Sequence, residues 1–384
     1  MSAEPPEIGS NQSVSTQTDP PTLITHLPDD ALCRCLATVP FRDRAVIVRV
    51  CKSWRNTVAS RAFAVARREL AEPLWLVIGG QTSANFNDYI AEAMSNQCRI
   101  FDASLQPVAR LKSLPRPSLE SGAATIPGLG VLLLGGWDGD DSTDQFLTEA
   151  SWVHNMDPSS SWRRWADLPG RFAFLKCCAL GDYIYAVSDY FIGNSSDARK
   201  LFCFDKQGNL LKTWEWPDDT SPEHLLVLDD RLVVVDESMN SRMHSFDPET
   251  GTWLRLPDPP LSSSGGTGVV SLSGKIYVMG GSRRRDGHHG PYGDVSADVH
   301  IFDGHEWSAG PPLPFPAKCT HRGAIASADS IIFLTDCVYT QWDQGCIENS
   351  GCAFVLRGGT WHTHADAVGY DKIGPRCAIT PYCA

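Results

Sequence analysis

Histidine, cysteine and carboxylate clusters are the groups in this chain that could do chemistry. His288-His289 and His362-Thr363-His364 carry imidazoles, Cys33-Arg34-Cys35 and Cys177-Cys178 carry thiols, and Asp138-Gly139-Asp140-Asp141 carries carboxylates. A zinc site needs two spaced pairs of such ligands, and neither histidine pair has cysteine or carboxylate at that spacing. The aspartate run departs from calcium-loop spacing and reads as a solvated turn. His154, His224, His244 and His321 read as packing or loop residues, and no catalytic triad can be built from spacing alone. The expectation is no metal, no cofactor and no catalytic residue. Arginine offers a different chemistry, because its planar fork pairs with carboxylates and phosphates. Arg116, Arg171, Arg322 and Arg376 occur singly, and Arg283, Arg284 and Arg285 occur in a row, in a chain of formal charge −12. Two readings stay open. The arginines could form a rim that reads an acidic or phosphorylated segment or a small anion, or they could be turn residues and a solvated loop.

The elements that position these residues are repeated. Ile276-Tyr277-Val278-Met279-Gly280-Gly281 recurs as Trp75-Leu76-Val77-Ile78-Gly79-Gly80 and Val131-Leu132-Leu133-Leu134-Gly135-Gly136. With the glycines replaced it recurs at Ile184-Tyr185-Ala186-Val187, Leu232-Val233-Val234-Val235 and Ile331-Ile332-Phe333-Leu334. The six copies start 44 to 56 residues apart, close to the roughly 50-residue period of a propeller blade. Each run is too short for a helix and is bounded by turn residues, so it reads as a strand buried on both faces. Glycine follows where strands converge and there is little room for Cβ.

A second landmark follows most copies: Ile100-Phe101-Asp102, Met156-Asp157-Pro158, Phe204-Asp205, Phe246-Asp247-Pro248 and Phe302-Asp303-Gly304. Aspartate can accept from the backbone two residues on, which is hairpin chemistry. A tryptophan then appears in five copies, at Trp162 or Trp165, Trp214, Trp253, Trp307 and Trp361. Apolar run, glycine pair, aromatic-Asp turn and tryptophan, in that order, resemble the kelch repeat from about residue 74 to the end. The resemblance implies a mainly β, six-bladed propeller over 73–384. The first copy has no strand upstream of Trp75, and Gly374 to Thr380 looks like a first strand with no blade after it, so 374–380 is expected to complete blade one. Some kelch propellers are enzymes, including copper oxidases and iron-dependent specifier proteins, but their ligand sets do not transfer to this chain.

Bulk properties narrow the classes. The 13 cysteines are odd in number and scattered, and with no secretory signal they read as reduced thiols in cytosol or nucleus. Apolar runs stop at about six residues, whereas a membrane helix needs about 20. The acidic balance argues against nucleic acid as the main partner.

Residues 1–22 are rich in Ser, Thr, Gln, Pro and Glu and read as a disordered tail. From Leu27-Pro28-Asp29-Asp30 the composition changes. Pro28 and the aspartates suit a helix start, and Val46, Val50, Trp54 and Val58 follow at four-residue steps as a helical stripe, with Ile47 and Cys51 alongside. A bundle over 23–72 is small and should present an apolar face to a partner. Leu27-Pro28-Asp29-Asp30, Leu32, Leu36, Pro40 and Val50-Cys51-Lys52-Ser53-Trp54-Arg55 resemble an F-box, although Arg42, Asp43 and Arg44 bring charge where that family is more apolar.

The F-box resemblance implies docking on the Skp-type adaptor of a cullin-RING ubiquitin ligase. Leu27, Pro28, Leu32 and Leu36 would lie at the adaptor surface, and Val50, Cys51 and Trp54 would form or flank the hydrophobic seam. F-box followed by kelch is a familiar pairing, especially in plants. It implies a non-catalytic substrate receptor, cytoplasmic or nuclear, whose propeller captures a protein for ubiquitination. Two rivals are a kelch scaffold without a ligase role and a metal-dependent propeller enzyme. Connections after the second and fourth strands of a blade leave the same face, so the arginines named above gather with the long loops, where binding usually lives.

Overall fold

The computed structural model describes residues 27–70 and 74–381, the latter without 81–93, 139–147, 156–159, 174, 189, 192–199, 218–221, 237–241, 261–265, 284–293, 328, 339–350 and 369–376. The tail expected at 1–22 lies outside the described residues. The chain forms two compact units, Met1–Ala71 and Glu72–Ala384. Among the described residues no helix is long and apolar enough to cross a membrane.

Among its described residues the first unit holds four α-helices, α1 (Asp29–Ala37), α2 (Arg44–Val50), α3 (Lys52–Val58) and α4 (Arg61–Leu70), with a short 3-10 turn at Phe41–Asp43. Pro28 occupies the N-cap of α1, and Asp29 and Asp30 meet the positive end of its dipole. Leu32, Leu36, Ala37, Ile47, Val58 and Phe63 form the core. The stripe expected through Val46, Val50, Trp54 and Val58 is not one helix. The chain breaks at Cys51, which is extended (φ −158°, ψ 171°), and its thiol accepts from the Trp54 N–H at 3.4 Å to cap α3. The break sends Ile47 and Val58 inward and leaves Val46 and Val50 outside.

Arg67 closes the bundle. It is 3% exposed, and its Nη1 donates to the carbonyls of Ala37 at 2.7 Å and Val39 at 2.6 Å, meeting the acceptors that the end of α1 leaves open. Replacing Arg67 by Met removes both charged donors and should cost at least about 2 kcal/mol. The check is thermal melting followed at 222 nm, where the helical signal should be lost at a lower temperature than in the wild type.

The second unit is six four-stranded antiparallel sheets arranged as blades. Blade one is Ala378–Pro381, Trp75–Ile78, Cys98–Phe101 and Pro107–Leu111; blade two is Gly122–Ile126, Gly130–Leu134, Ala150–His154 and Arg163–Asp167. Blade three is Lys176–Leu180, Tyr183–Val187, Lys200–Phe204 and Leu210–Glu215; blade four is His224–Leu228, Arg231–Val235, Met243–Asp247 and Thr252–Arg255. Blade five is Thr267–Leu272, Lys275–Gly280, Val299–Phe302 and Trp307–Ala309; blade six is Ala317–Ser327, Ser330–Val338, Gly351–Arg357 and Thr360–Val368. Two short ribbons, Phe172–Ala173 with Tyr190–Phe191 and Ser282–Arg283 with Asp294–Val295, extend the loops.

The apolar runs are the second strands, and Trp75–Ile78 is buried throughout. Adjoining blades share cores: Val77 and Phe101 meet Ile332 and Leu334, and Phe246 joins Tyr185, Leu201 and Val234. The first strands stand side by side around the axis, and the C-terminal strand takes its place between those of blades six and two. It pairs with the second strand of blade one from Ile78↔Ala378 to Trp75↔Pro381. Thr125 seals the junction, with its Oγ1 2.9 Å from Thr380 Oγ1 and donating to the Pro381 carbonyl.

Tryptophan and aspartate have separate structural tasks. The indole N–H of Trp162 donates to Lys112 O, that of Trp307 to Pro257 O and that of Trp361 to Pro311 O, at 3.0, 3.0 and 2.8 Å. Each bond reaches the blade before its own and spans 50 residues. Changing Trp307 to Phe keeps most of the ring packing on Phe302 but deletes this donor, so urea unfolding should show a loss of about 1 kcal/mol.

Asp205, Asp247 and Asp303 each accept two backbone N–H groups at 2.9–3.3 Å in the third-to-fourth-strand turn. Their carboxyls are held below the usual range, mainly by the Asn209 side chain for Asp205 and by backbone N–H groups for the other two. A depressed carboxyl favours the folded state above its unfolded pKa, and that contribution is lost as pH falls through the folded pKa. Stability should therefore decline below about pH 4 as these turns protonate, and the decline should be smaller in an Asp247→Ala variant, which lacks one of the groups.

Candidate partner-binding sites

The helical unit leaves several apolar side chains exposed at its surface. Leu27 is 38% exposed, Val46 62% and Val50 57%, and Pro28 beside Leu27 is exposed too. Trp54 and Cys51 are partly buried, with Trp54 packed on the core. Leu32 and Leu36, expected at the same surface, are both 3% exposed and lie in the core, because α1 turns their face onto Ile47, Val58 and Phe63. Val46 is the residue that sequence reasoning missed. Its four-residue spacing from Val50 was visible, but only Val50 was expected at the seam, and the break at Cys51 leaves both outside.

Of the seven arginines, Arg116 and Arg171 come together. They line a cleft of about 350 Å³ between blades one and two, with Arg164, Asp138 and Glu149 and with Trp137 and Trp152 in its walls. Arg116 Nη1 lies 3.1 Å from Asp138 Oδ2. The Trp137 indole donates to Glu120 Oε2 at 3.0 Å, and Glu120 is 2% exposed with left-handed backbone (φ 55°). Arg283 lies in the short strand Ser282–Arg283 and Arg322 in Ala317–Ser327, whereas Arg284, Arg285 and Arg376 lie outside the described residues. The cleft therefore mixes charges. It can exchange the Arg116–Asp138 pair for a ligand's carboxylate or phosphate, and its two tryptophans offer stacking surface.

The chemistry considered for metals and thiols has these positions. Among the described residues no three His, Cys, Asp or Glu side chains gather as a metal-binding group; His288 and His289 lie outside the described residues. His362 and His364 stand on the fourth strand of blade six, where burial and the neighbouring His362 hold His364 below the usual histidine pKa. Burial pushes the Cys98 thiol up to about 12 and raises those of Cys178 and Cys203 as well. None of these three is a thiolate near neutral pH, so they are poor nucleophiles.

Known proteins resemble separate parts of the chain. Residues 24–65 match the F-box domain family, and residues 211–368 match a family described as a protein of unknown function (DUF1668). An F-box/kelch-repeat protein of Arabidopsis thaliana is 28% identical over 284 residues, covering 72% of this chain and 58% of the relative. A second one from the same plant is 21% identical over 290 residues, covering 62% of this chain and 80% of the relative. The chain thus spans little more than half the length of the first relative. The solved structure of YjhT superposes with a TM-score of 0.53 at 13% identity, over 72% of this chain and 93% of that one, a likeness of fold alone. An F-box domain followed by a C-terminal propeller, this chain is a distant homologue of the F-box/kelch-repeat proteins of Arabidopsis.

Proposed function

We propose that the chain is the substrate-recognition subunit of a Skp–cullin–F-box ubiquitin ligase. Its F-box docks a Skp-type adaptor, its propeller captures a target protein, and the ubiquitin chemistry takes place on other subunits. The observation that carries the reading is the exposure of the apolar side chains of Leu27, Val46 and Val50 within the span that matches the F-box family. Apolar surface of this kind, on a unit with so small a core, is the mark of an interface. Leu27, Pro28 and Val50 make the contact, Cys51 and Trp54 flank it, and Leu32 and Leu36 hold the helix that presents it.

On the propeller, the cleft holding Arg116 and Arg171 is the target site, with Arg283, Arg284, Arg285, Arg322 and Arg376 completing the substrate-binding face. The mixed charge of the cleft favours a target segment that carries carboxylate or phosphate beside an aromatic residue. The chain itself is not an enzyme in this reading and uses no cofactor.

Co-expression with a Skp-type adaptor and a cullin, followed by size-exclusion chromatography, tests the reading. The wild type should co-elute with both. A Leu27→Ala, Pro28→Ala double variant and a Val50→Asp variant should each elute alone while keeping the propeller fold, since an aspartate buried at an apolar interface without a partner costs several kcal/mol, about a 100-fold loss or more. Elution of folded wild type without the adaptor would overturn the receptor assignment.

A further inference from the structure

His362 and His364 stand two residues apart on the outer strand of blade six, Thr360–Val368. Alternation along a strand puts residues i and i+2 on one face, about 6.5–7 Å apart at Cα, so the two imidazoles leave the sheet on the same side. The register says which side it is. His362 lies opposite Val355 and His364 opposite Ala353, and residues directly opposite in an antiparallel pair share a face. Val355 and Ala353 pack with Trp75, Phe101 and Leu105 of blade one, so both histidines belong to the face of blade six that meets blade one. His362 is exposed and His364 half-buried, which places the pair at the solvent margin of that seam.

A carboxylate stands across the seam. Asp102 opens the third-to-fourth-strand turn of blade one, and its Oδ1 accepts from the Ser104 and Gln106 N–H groups, both at 2.9 Å. These bonds fix the side chain in the turn that carries Leu105, which shares a core with Val355. His364 senses two charged neighbours, the His362 ring and the Asp102 carboxylate. Burial and His362 favour its uncharged ring, and an uncharged imidazole is the form that ligates a metal.

We propose that His362 and His364 form a two-imidazole site for a divalent transition metal ion of the nickel, copper or zinc class, at the seam between blades six and one. Imidazole suits these ions, and two rings on one strand face can lean together until a nitrogen of each lies about 2.0–2.1 Å from a shared ion. Water completes the coordination. Asp102 serves from the adjoining blade as counter-charge and as acceptor for a metal-bound water, the usual outer partner of such a site. With two protein ligands the affinity is modest, unlike that of a closed structural zinc site, which has four. A hard ion such as magnesium prefers oxygen ligands and gains little from two imidazoles. The seam joins the last blade to the first, so an ion held from both sides fastens the ring where the two ends of the propeller meet. The site uses neither the F-box residues nor the cleft between blades one and two, and it holds or fails independently of the ligase reading.

The test is isothermal titration calorimetry of the whole chain with two probes, nickel and magnesium ions, under a phosphine that keeps the cysteines reduced. His288→Ala and His289→Ala are present throughout, so that the other histidine pair contributes nothing, and circular dichroism records the fold of each variant. This parent should bind nickel and not magnesium. His362→Ala and His364→Ala should each lose at least about ten-fold in nickel affinity, and Asp102→Asn, which keeps an acceptor for the turn, should lose about three-fold. In about 1 mM nickel the parent should melt about 2–4 °C higher than without it, and His362→Ala should show no such rise. If His364→Ala does not fold, His362→Ala, at an exposed position, carries the comparison. Three results overturn the proposal: no nickel binding by the folded parent, magnesium binding as tight as nickel, or unchanged nickel affinity in the folded histidine variants. Unchanged affinity in Asp102→Asn would overturn the part played across the seam.

Discussion

Deleting residues 377–384 will destabilise the propeller by about 5 kcal/mol or more, with aggregation on heating. The deletion removes a strand whose four residues pair with the whole of Trp75–Ile78, together with the Thr380 and Pro381 partners of Thr125. Backbone bonds and the sealing contacts at about 1 kcal/mol each, together with the burial of Cys377 and Ala378, account for that magnitude. The side effect is as serious as the direct loss. Trp75–Ile78, buried along its whole length in the intact ring, becomes a bare apolar edge, which is a template for pairing with other chains. Thr380→Ala, which removes one side chain and leaves the strand, should cost only about 1 kcal/mol. Calorimetry and size-exclusion of the two variants decide the point. A truncated chain that stays monomeric and melts within about 2 °C of the wild type would mean that the C-terminal strand is not a structural part of the ring.

Gly79→Ala should be among the most damaging single methyls that can be added to the propeller. Gly79 has φ +68°, and a Cβ there would stand 2.1 Å from Ser118 O and 3.0 Å from Ser118 C, both backbone atoms of the next blade connection. Strain at the dihedral and overlap with an immovable carbonyl each cost about 1–3 kcal/mol, so a total near 4 kcal/mol is expected. Gly128 separates the two contributions. Its φ is +79° but a Cβ would meet nothing within 4 Å, so Gly128→Ala should show the dihedral cost alone, about 1–2 kcal/mol. Equal losses in urea titrations of the two variants would show that the convergence of blades one and two tolerates a side chain at Gly79.

The propeller could be read because its signals are local. A run of four apolar residues names a strand buried on both faces, an Asp two residues before a backbone donor names a turn, and both lie within a few positions of each other. The indole of Trp307, in contrast, reaches Pro257 across 50 residues; the repeat revealed that the tryptophan belonged to a blade contact but not which atom it served. The copies without a glycine pair were legible as departures only. Ser188, Asp236 and Thr335 stand at the first of the two positions at 1%, 1% and 0% exposure, and none has positive φ, so that position does without the left-handed conformation that Gly79, Gly135 and Gly280 adopt.

The sites were harder for the same reason. Composition pointed to arginine, but Asp138, Glu149, Trp137 and Trp152 join Arg116 and Arg171 only because two blades abut. In the helical unit the types of Leu32 and Leu36 fitted a surface as well as a core. The outward turn of Val46 and Val50 is set by a single extended residue, Cys51, whose role as a helix cap carries no strong signature in sequence.

The C-terminal strand also sets an order of events during synthesis. The helices of residues 29–70 depend on contacts within that stretch, and they can fold once it has left the ribosome. Blade one has its outer three strands by residue 111 but waits for Ala378 to Pro381, some 270 residues later. At about 5–20 residues per second the incomplete ring exists for tens of seconds, with Trp75–Ile78 unpaired on one side. During that interval the chain already carries a finished F-box domain on a propeller that has not yet closed. A translation product halted before residue 378 would remain in that condition, a folded helical domain followed by an open sheet.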